Sequence, residues 1–232
     1  MSYRIGLDLG GTKVLGVVTD SDHKVIHRKK HRLSNRADIS AVMDQVSNVY
    51  TALAERVGDE KIDSVGIALP SPVDNELGHA KHLTAFQEKE LPVRDMLKER
   101  TGVDVKLGND VNMATLAEYK FGAGKGASSL FTFYPGTGLG GGYIYKGKLV
   151  AGFNSTAAEV GHVVIDIDGP LCKCGRHGCL EAIVSYHGLK TMLGEKLSKG
   201  EASVIDHTSF RAVDIFKAWR KDDPVVSELL EY

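Results

Sequence analysis

Two glycine runs constrain this chain more than any other feature, because each sits where two apolar, alternating stretches meet. The first is Asp8-Leu9-Gly10-Gly11-Thr12-Lys13, between residues 3–9 and 13–20. The second is Gly136-Thr137-Gly138-Leu139-Gly140-Gly141-Gly142, between 130–134 and 141–145. A strand, a glycine turn and a strand make a hairpin. Two such hairpins, weakly alike, predict two similar α/β domains. Residues 24–33 alternate enough to add a third strand to the first hairpin. Beyond it, Ile39, Val42, Met43, Val46, Val49, Tyr50 and Leu53 fall on one face of a helix over 39–57. A strand at 65–69, a helix at 91–100 and a strand at 103–107 follow, then a helix at 113–119. The second half reads as strands at 130–134, 141–145, 148–150 and 160–165, with helices at about 181–197 and 209–221. The division is expected at residue 112, giving domains 1–112 and 113–232.

Glycines at a hairpin tip let backbone N–H groups approach an anion closely. Gly10, Gly11, Thr12 and Lys13 fit a phosphate in this way, with Asp8 placed to hold a Mg²⁺–water cluster. Gly136, Thr137, Gly138 and Gly140 fit the same task, although no Gly-Lys-Ser/Thr of a Walker loop follows. A plain tight turn explains either run alone; the pair favours two jaws on one polyphosphate.

Three cysteines, all between Cys172 and Cys179, form no disulfide framework. With His162 they supply the three thiolates and one imidazole of a closed, structural zinc site: His162, Cys172, Cys174, Cys179. His177 competes for the fourth place, and the crowding of the loop around it favours His162. Asp110, in Gly108-Asn109-Asp110, follows a strand and precedes a helix. Such a carboxylate can take a proton from a hydroxyl nucleophile during phosphoryl transfer, and it also suits a helix N-cap. Glu159 and Glu181 flank the proposed metal and suit sugar hydroxyls or plain surface charge.

Composition narrows the classes. Lys+Arg number 29 against 30 Asp+Glu, 42% of residues are apolar and 25% charged, the balance of an ordinary soluble globular protein. A general nucleic-acid binder would need a basic excess, so none is expected as a partner. The run His27-Arg28-Lys29-Lys30-His31-Arg32 reads as a solvated strand. No apolar run is long enough to span a bilayer and no signal peptide is visible, so no membrane partner and a cytoplasmic location are expected. His23, His79, His82, His187 and His207 have no evident partner.

Asp8-Leu9-Gly10-Gly11-Thr12-Lys13, Asn109-Asp110, the Gly136–Gly142 run, Glu159-Val160-Gly161-His162 and Cys172-Lys173-Cys174-Gly175-Arg176-His177-Gly178-Cys179-Leu180-Glu181 together resemble the ROK family (repressor, open reading frame, kinase). The resemblance covers essentially the whole chain. It implies an α/β, actin/hexokinase-like (ribonuclease H-like) fold of duplicated domains with an interdomain cleft. It implies ATP- and Mg²⁺-dependent phosphorylation of a hexose such as glucose or an N-acetylhexosamine, a structural Zn²⁺, and a homodimer. By motif, Asp110 resembles the catalytic base. Asn109, Asp110, Glu159, His162 and Glu181 resemble sugar contacts, and the two hairpins the phosphate loops. The usual Pro-Gly-Pro-Val-Asp is here Pro70-Ser71-Pro72-Val73-Asp74. The stretch His82-Leu83-Thr84-Ala85 replaces a usual Asn-Leu-Pro. Ala158 stands where a glycine commonly precedes the Glu-x-Gly-His motif. Family members continue past a segment like Asp223-Pro224-Val225-Val226 with further helices and a strand, a portion absent from this chain. The family's sugar-sensing regulators carry a helix-turn-helix ahead of the first hairpin; here that hairpin opens within the first ten residues, which favours the kinase branch. A truncated, non-catalytic sugar-binding protein is the other alternative.

Overall fold

The computed structural model describes residues 2–206 and 209–231, so His207 lies outside the described residues. The chain divides into two compact units, Met1–Leu130 with Tyr143–Ala157, and Phe131–Gly142 with Ala158–Tyr232. The division expected at residue 112 falls inside a continuous helix, Asp110–Phe121. A helix is a rigid, internally bonded element, and the chain passes between units further on, within two strands at 130/131 and 142/143 and in a turn at 157/158.

In the first unit the alternating stretches become β1 (Ser2–Leu9), β2 (Lys13–Thr19) and β3 (Val25–Arg32), an antiparallel meander. The helix α1 (Ile39–Ala54) leads to β4 (Lys61–Leu69), parallel to β1. A small sheet missed from the sequence comes next: β5 (Val73–Asp74), β6 (His79–Leu83) and β7 (Glu88–Leu91). Its strands are too short and polar, Glu88-Lys89-Glu90 above all, to show a period of two. Then α2 (Val93–Thr101), β8 (Val105–Asn109) and α3 (Asp110–Phe121) complete the sequence of elements, β8 lying parallel to β4. The five-stranded sheet has the order β3-β2-β1-β4-β8. Its buried face, Ile5, Leu7, Leu9, Val14 and Val18, packs on Val42, Met43, Val46, Val49 and Leu53 of α1. The basic run occupies β3, an outer strand of that sheet exposed along almost its whole length.

A three-stranded sheet of order β11-β10-β9 is made by β9 (Ser129–Pro135), β10 (Leu139–Tyr145) and β11 (Lys148–Leu149). The second unit continues with α4 (Leu180–Val184), α5 (Tyr186–Ser198), α6 (Ala212–Trp219) and α7 (Pro224–Glu231). Leu193, Ile205, Phe210, Ile215, Val226 and Leu229 form its core. Two expectations are corrected here. The strand expected at 160–165 is a 3₁₀ turn, Val160–His162, followed by an extended stretch whose Val164 makes only an isolated bridge with Cys179. Val163, Val164 and Ile165 are exposed, so an apolar run that looked like a buried strand has no sheet to join. The helix expected over 181–197 breaks at Ser185, whose hydroxyl accepts the Gly188 N–H at 3.1 Å and starts α5 afresh. Among the described residues no helix is long and apolar enough to cross a membrane.

Leu53 is fully buried where α1 meets the sheet. Leu53→Ala should therefore cost about 2–5 kcal/mol, read as a lowered urea midpoint at unchanged slope. A cost under ~1 kcal/mol would show that α1 is not the main cover of this sheet face.

Candidate functional site

In the first unit the Gly10-Gly11 tip is closed by Gly10 N–H donating to the Lys13 carbonyl at 2.9 Å. Two further bonds hold its carbonyls: Leu33 N–H donates to Thr12 O at 2.9 Å and the Arg36 guanidinium to Gly11 O at 2.7 Å. Arg36 was not legible in the sequence, since nothing local marks a side chain that reaches back to a turn. Asp8 ends β1 beside this tip. Burial pushes its carboxyl above the usual carboxylate range, and the positive charge of Lys13 opposes the shift.

Asn109 and Asp110 stand where β8 turns into α3, at the carboxyl end of two parallel strands, the usual place for a ligand in such a sheet. The N-cap is Asn109, not Asp110: its Oδ1 accepts the Asn112 N–H at 3.0 Å. Its amide donates to Asp110 Oδ1 at 3.1 Å and to the Ser71 carbonyl at 3.4 Å. Val111 N–H donates to the same Asp110 Oδ1 at 2.8 Å. Both bonds land on Oδ1, which leaves Oδ2 to take a proton. Burial, reinforced by repulsion from Asp8, raises the Asp110 carboxyl above the usual range despite these donors. Ser71, buried in place of the usual glycine, is consumed internally: its hydroxyl accepts His82 N–H at 2.8 Å and donates to Pro72 O at 2.7 Å.

The second unit brings the metal candidates together. Single donor atoms of His162, Cys172, Cys174 and Cys179 all lie within 4.8 Å of one another. Cys174 Sγ is 3.5 Å from Cys179 Sγ, and Cys172 Sγ is 3.7 Å from His162 Nδ1. Three sulfurs and one imidazole at such spacing fit a tetrahedral zinc ion. His177 is turned away, its Nδ1 bonded to the Gly169 carbonyl at 3.0 Å. The Arg176 backbone N–H and guanidinium lower the Cys174 thiol to about 6, while burial pushes Cys179 up to about 11. A Cβ on Gly178 would sit 1.3 Å from the Asp166 carbonyl oxygen, so only glycine lets the loop double back there. Glu159, exposed, opens the short turn that carries His162.

Glu181, on α4 directly after the cysteine loop, does more than sit beside the metal candidates. Its Oε2 accepts the Leu139 N–H of the second hairpin at 2.8 Å. The same hairpin's Gly136 and Thr137 carbonyls accept the Tyr186 and His187 N–H groups of α5 at 2.9 and 3.2 Å. An apolar cavity of about 340 Å³ adjoins this hairpin, lined by Thr137, Val184, Tyr186, Leu189, Ile215 and Phe216 among others. Its walls come from three separate segments, so no local pattern could have revealed it.

The sequence matches the ROK family over residues 4–232. It is 35% identical over 202 residues to a glucokinase of Thermotoga maritima, which covers 87% of this chain and 63% of that enzyme. It is 24% identical over 232 residues to the DNA-binding transcriptional repressor Mlc of Escherichia coli, covering 98% of this chain and 57% of the repressor. The chain thus spans less than two thirds of the length of either. A crystal structure of a ROK family glucokinase from Streptomyces griseus in complex with glucose and AMPPNP superimposes with a TM-score of 0.77 at 28% identity, over 98% of this chain and 74% of that one. The fold is thereby the actin/hexokinase-like α/β fold.

Two predictions follow from the second unit. If the four residues take up zinc, His162→Asn should abolish that uptake while His177→Asn keeps it, as read by zinc content after zinc loading and dialysis; the opposite pattern would move the fourth ligand to His177. Ala158 holds a left-handed φ of 62° in the turn before Glu159, where a Cβ costs roughly 1–2 kcal/mol. Ala158→Gly recovers part of that against the larger unfolded-chain entropy of glycine, a net gain of about 0.5–1 kcal/mol. An unchanged or lower melting temperature would contradict strain at this turn.

Proposed function

The chain belongs to the ROK family, and from that premise we propose that it transfers the terminal phosphoryl group of ATP to a hydroxyl of a hexose or N-acetylhexosamine. The observation that carries this reading is Asp110. It is a half-buried carboxylate at the carboxyl end of a parallel strand pair, held by Asn109 and Val111 through one oxygen, with its proton affinity raised by burial. A general base works best when its pKa is moved toward the working pH. The neighbouring Asn109 is held by Asn112, Asp110 and Ser71, and its amide would exchange one of those bonds for a sugar hydroxyl.

In this mechanism Asn109, Glu159, His162 and Glu181 hold the acceptor sugar, and Asp110 takes the proton of the attacking hydroxyl as its oxygen approaches phosphorus. The two glycine hairpins receive the phosphates through backbone N–H groups, which stabilise charge without side-chain reorganisation. The adenine base lies in the apolar cavity beside Thr137 and Phe216. Asp8 is the side chain that would hold Mg²⁺. Asp8 and Asp110 repel each other, a donor set that suits a divalent cation, which would supply charge neutralisation for the transferring phosphoryl group. His162, Cys172, Cys174 and Cys179 would hold a structural zinc, which would brace the cysteine loop leading into α4, the helix that carries Glu181. The similarity to Mlc supports a second reading, a sugar sensor that binds without turnover.

Sugar-dependent ADP release across glucose, mannose, fructose, N-acetylglucosamine and N-acetylmannosamine separates the two. Turnover on one sugar is expected, with Asp110→Asn lowering kcat at least about 100-fold while sugar binding persists. Sugar binding with no turnover would establish the sensor. The kcat/KM profile should fall on the acid side through a pKa above the usual carboxylate range. Because the folded-state pKa is raised, ionising Asp110 costs stability as pH rises through it. Asp110→Asn should therefore match or exceed the parent's melting temperature at pH 7, an advantage that disappears near pH 3. A destabilised variant at pH 7 would mark Asp110 as structural.

A further inference from the structure

The second hairpin is proposed above as a phosphate loop and Glu181 as a sugar contact, yet in this structure the two are joined. Glu181 Oε2 accepts the Leu139 N–H at 2.8 Å. The approach is built in. A Cβ on Gly138 would lie 2.5 Å from that same oxygen, and one on Gly161 would lie 2.4 Å from the Leu139 carbonyl and 3.2 Å from Glu181 Cβ. Glycine at 138 and 161 is what allows the carboxylate and the hairpin backbone to meet. Within the tip, Gly136 N–H is already spent on the Gly138 carbonyl at 2.8 Å.

A carboxylate bound to the rim of a phosphate loop opposes the loop's task in two ways. It takes a backbone donor, and it places a negative charge beside the position a phosphate must fill. We propose that Glu181 is a positioning residue that couples the two substrates: in the sugar-free protein it caps Leu139 and holds the hairpin unfavourable for the nucleotide. A sugar hydroxyl donating to Glu181 draws the carboxylate off and makes the hairpin competent. The sugar has differential affinity for the two placements of one side chain, which is what a shift in population requires. By reciprocity, nucleotide binding favours the sugar by the same factor. Binding is therefore ordered, acceptor first, and hydrolysis of ATP in the absence of acceptor is suppressed. The coupling rests on the phosphate-loop and sugar-contact roles proposed above.

The test reads the sign of one change. AMPPNP with Mg²⁺ is titrated calorimetrically, without sugar, into the zinc-loaded parent protein and into Glu181→Gln and Glu181→Ala. Glu181→Gln keeps an oxygen for Leu139 but loses the charge; Glu181→Ala removes both. Glu195→Gln, the same charge change at an exposed position on α5, serves as the control. Coupling predicts that both Glu181 variants bind AMPPNP more tightly, on the order of 10-fold, while Glu195→Gln stays within twofold of the parent. Adding the sugar that supports turnover should tighten AMPPNP binding to the parent by a similar factor and leave the Glu181 variants unmoved. A mere brace predicts the reverse, because removing it loosens the hairpin; weaker or unchanged binding in the two variants overturns the inference while leaving the phosphate-loop role intact. No AMPPNP binding by any of the proteins, with or without sugar, overturns that role and the coupling with it.

Discussion

The first N–H groups of an α-helix find no partner inside the helix and must be satisfied from outside. In α5 they are assigned one by one: Tyr186 to the Gly136 carbonyl, His187 to the Thr137 carbonyl, Gly188 to the Ser185 hydroxyl. Two of these three partners belong to the glycine hairpin, so the helix start and the hairpin tip fix each other. The hairpin tip is mostly glycine, and Leu139 is its one buried apolar side chain. Its conformation is set by the helix that needs its carbonyls. From there the dependence runs outward. Ser185 breaks the helical run into α4 and α5, Cys179 is the N-cap of α4, and Leu180 N–H is held by the Val163 carbonyl at 2.9 Å. The cysteine loop, the turn that carries His162 and the hairpin are thus one bonded assembly within the second unit.

In the first unit the corresponding work is electrostatic. Asp8 and Asp110 are both partly withdrawn from water, and each would be more stable protonated than in solution. A fold that keeps two such carboxylates gives up stability at neutral pH for them. The surrounding hydrogen bonds reduce that cost without removing it: Asn109 and Val111 both donate to Asp110, and the charge of Lys13 acts on Asp8. Strained or costly groups of this kind gather where chemistry is done. Ser71 belongs to the same arrangement, since its carbonyl receives the Asn109 amide and its hydroxyl ties the turn to β6. The substitution of serine for the usual glycine thus fills an internal hydrogen-bond position.

Much of this was legible in the residues. Alternation located β1, β2, β3, β9 and β10, and one apolar face located α1 to within a few residues. Periodicity reports burial on one side of a regular element, and β1, β2, β10 and α1 have that burial, whereas β3 is exposed along almost its whole length and β9 only alternates between exposed and half-buried. It failed where burial and regularity part company. Val163, Val164 and Ile165 are apolar but exposed, and they make only an isolated bridge, so the segment is not a strand; Glu88–Leu91 is polar yet pairs in a sheet. Among site residues, the cysteine spacing picked out three of the four converging donors unaided. The crowding of the loop already favoured His162 over His177, and the structure adds what His177 does instead, bonding the Gly169 carbonyl eight residues away along the chain. Arg36 and the roles of Ser71 and Glu181 in hydrogen bonding left no local trace.

The sequence by itself determined which chemistry is on offer. It set two glycine turns, a Cys₃His set, and an aspartate at a strand end, because residue type and spacing fix what a short segment can bind or bend into. The tertiary structure decided which of these groups act on one another. That burial and then Asp8 raise Asp110, and that Glu181 spends its carboxylate on Leu139, are consequences of long-range contacts. Leu139 and Glu181 are 42 residues apart in the chain and 2.8 Å apart in space. A hydrogen bond depends on distance and angle in space, not on separation along the chain, and only the packed chain sets them.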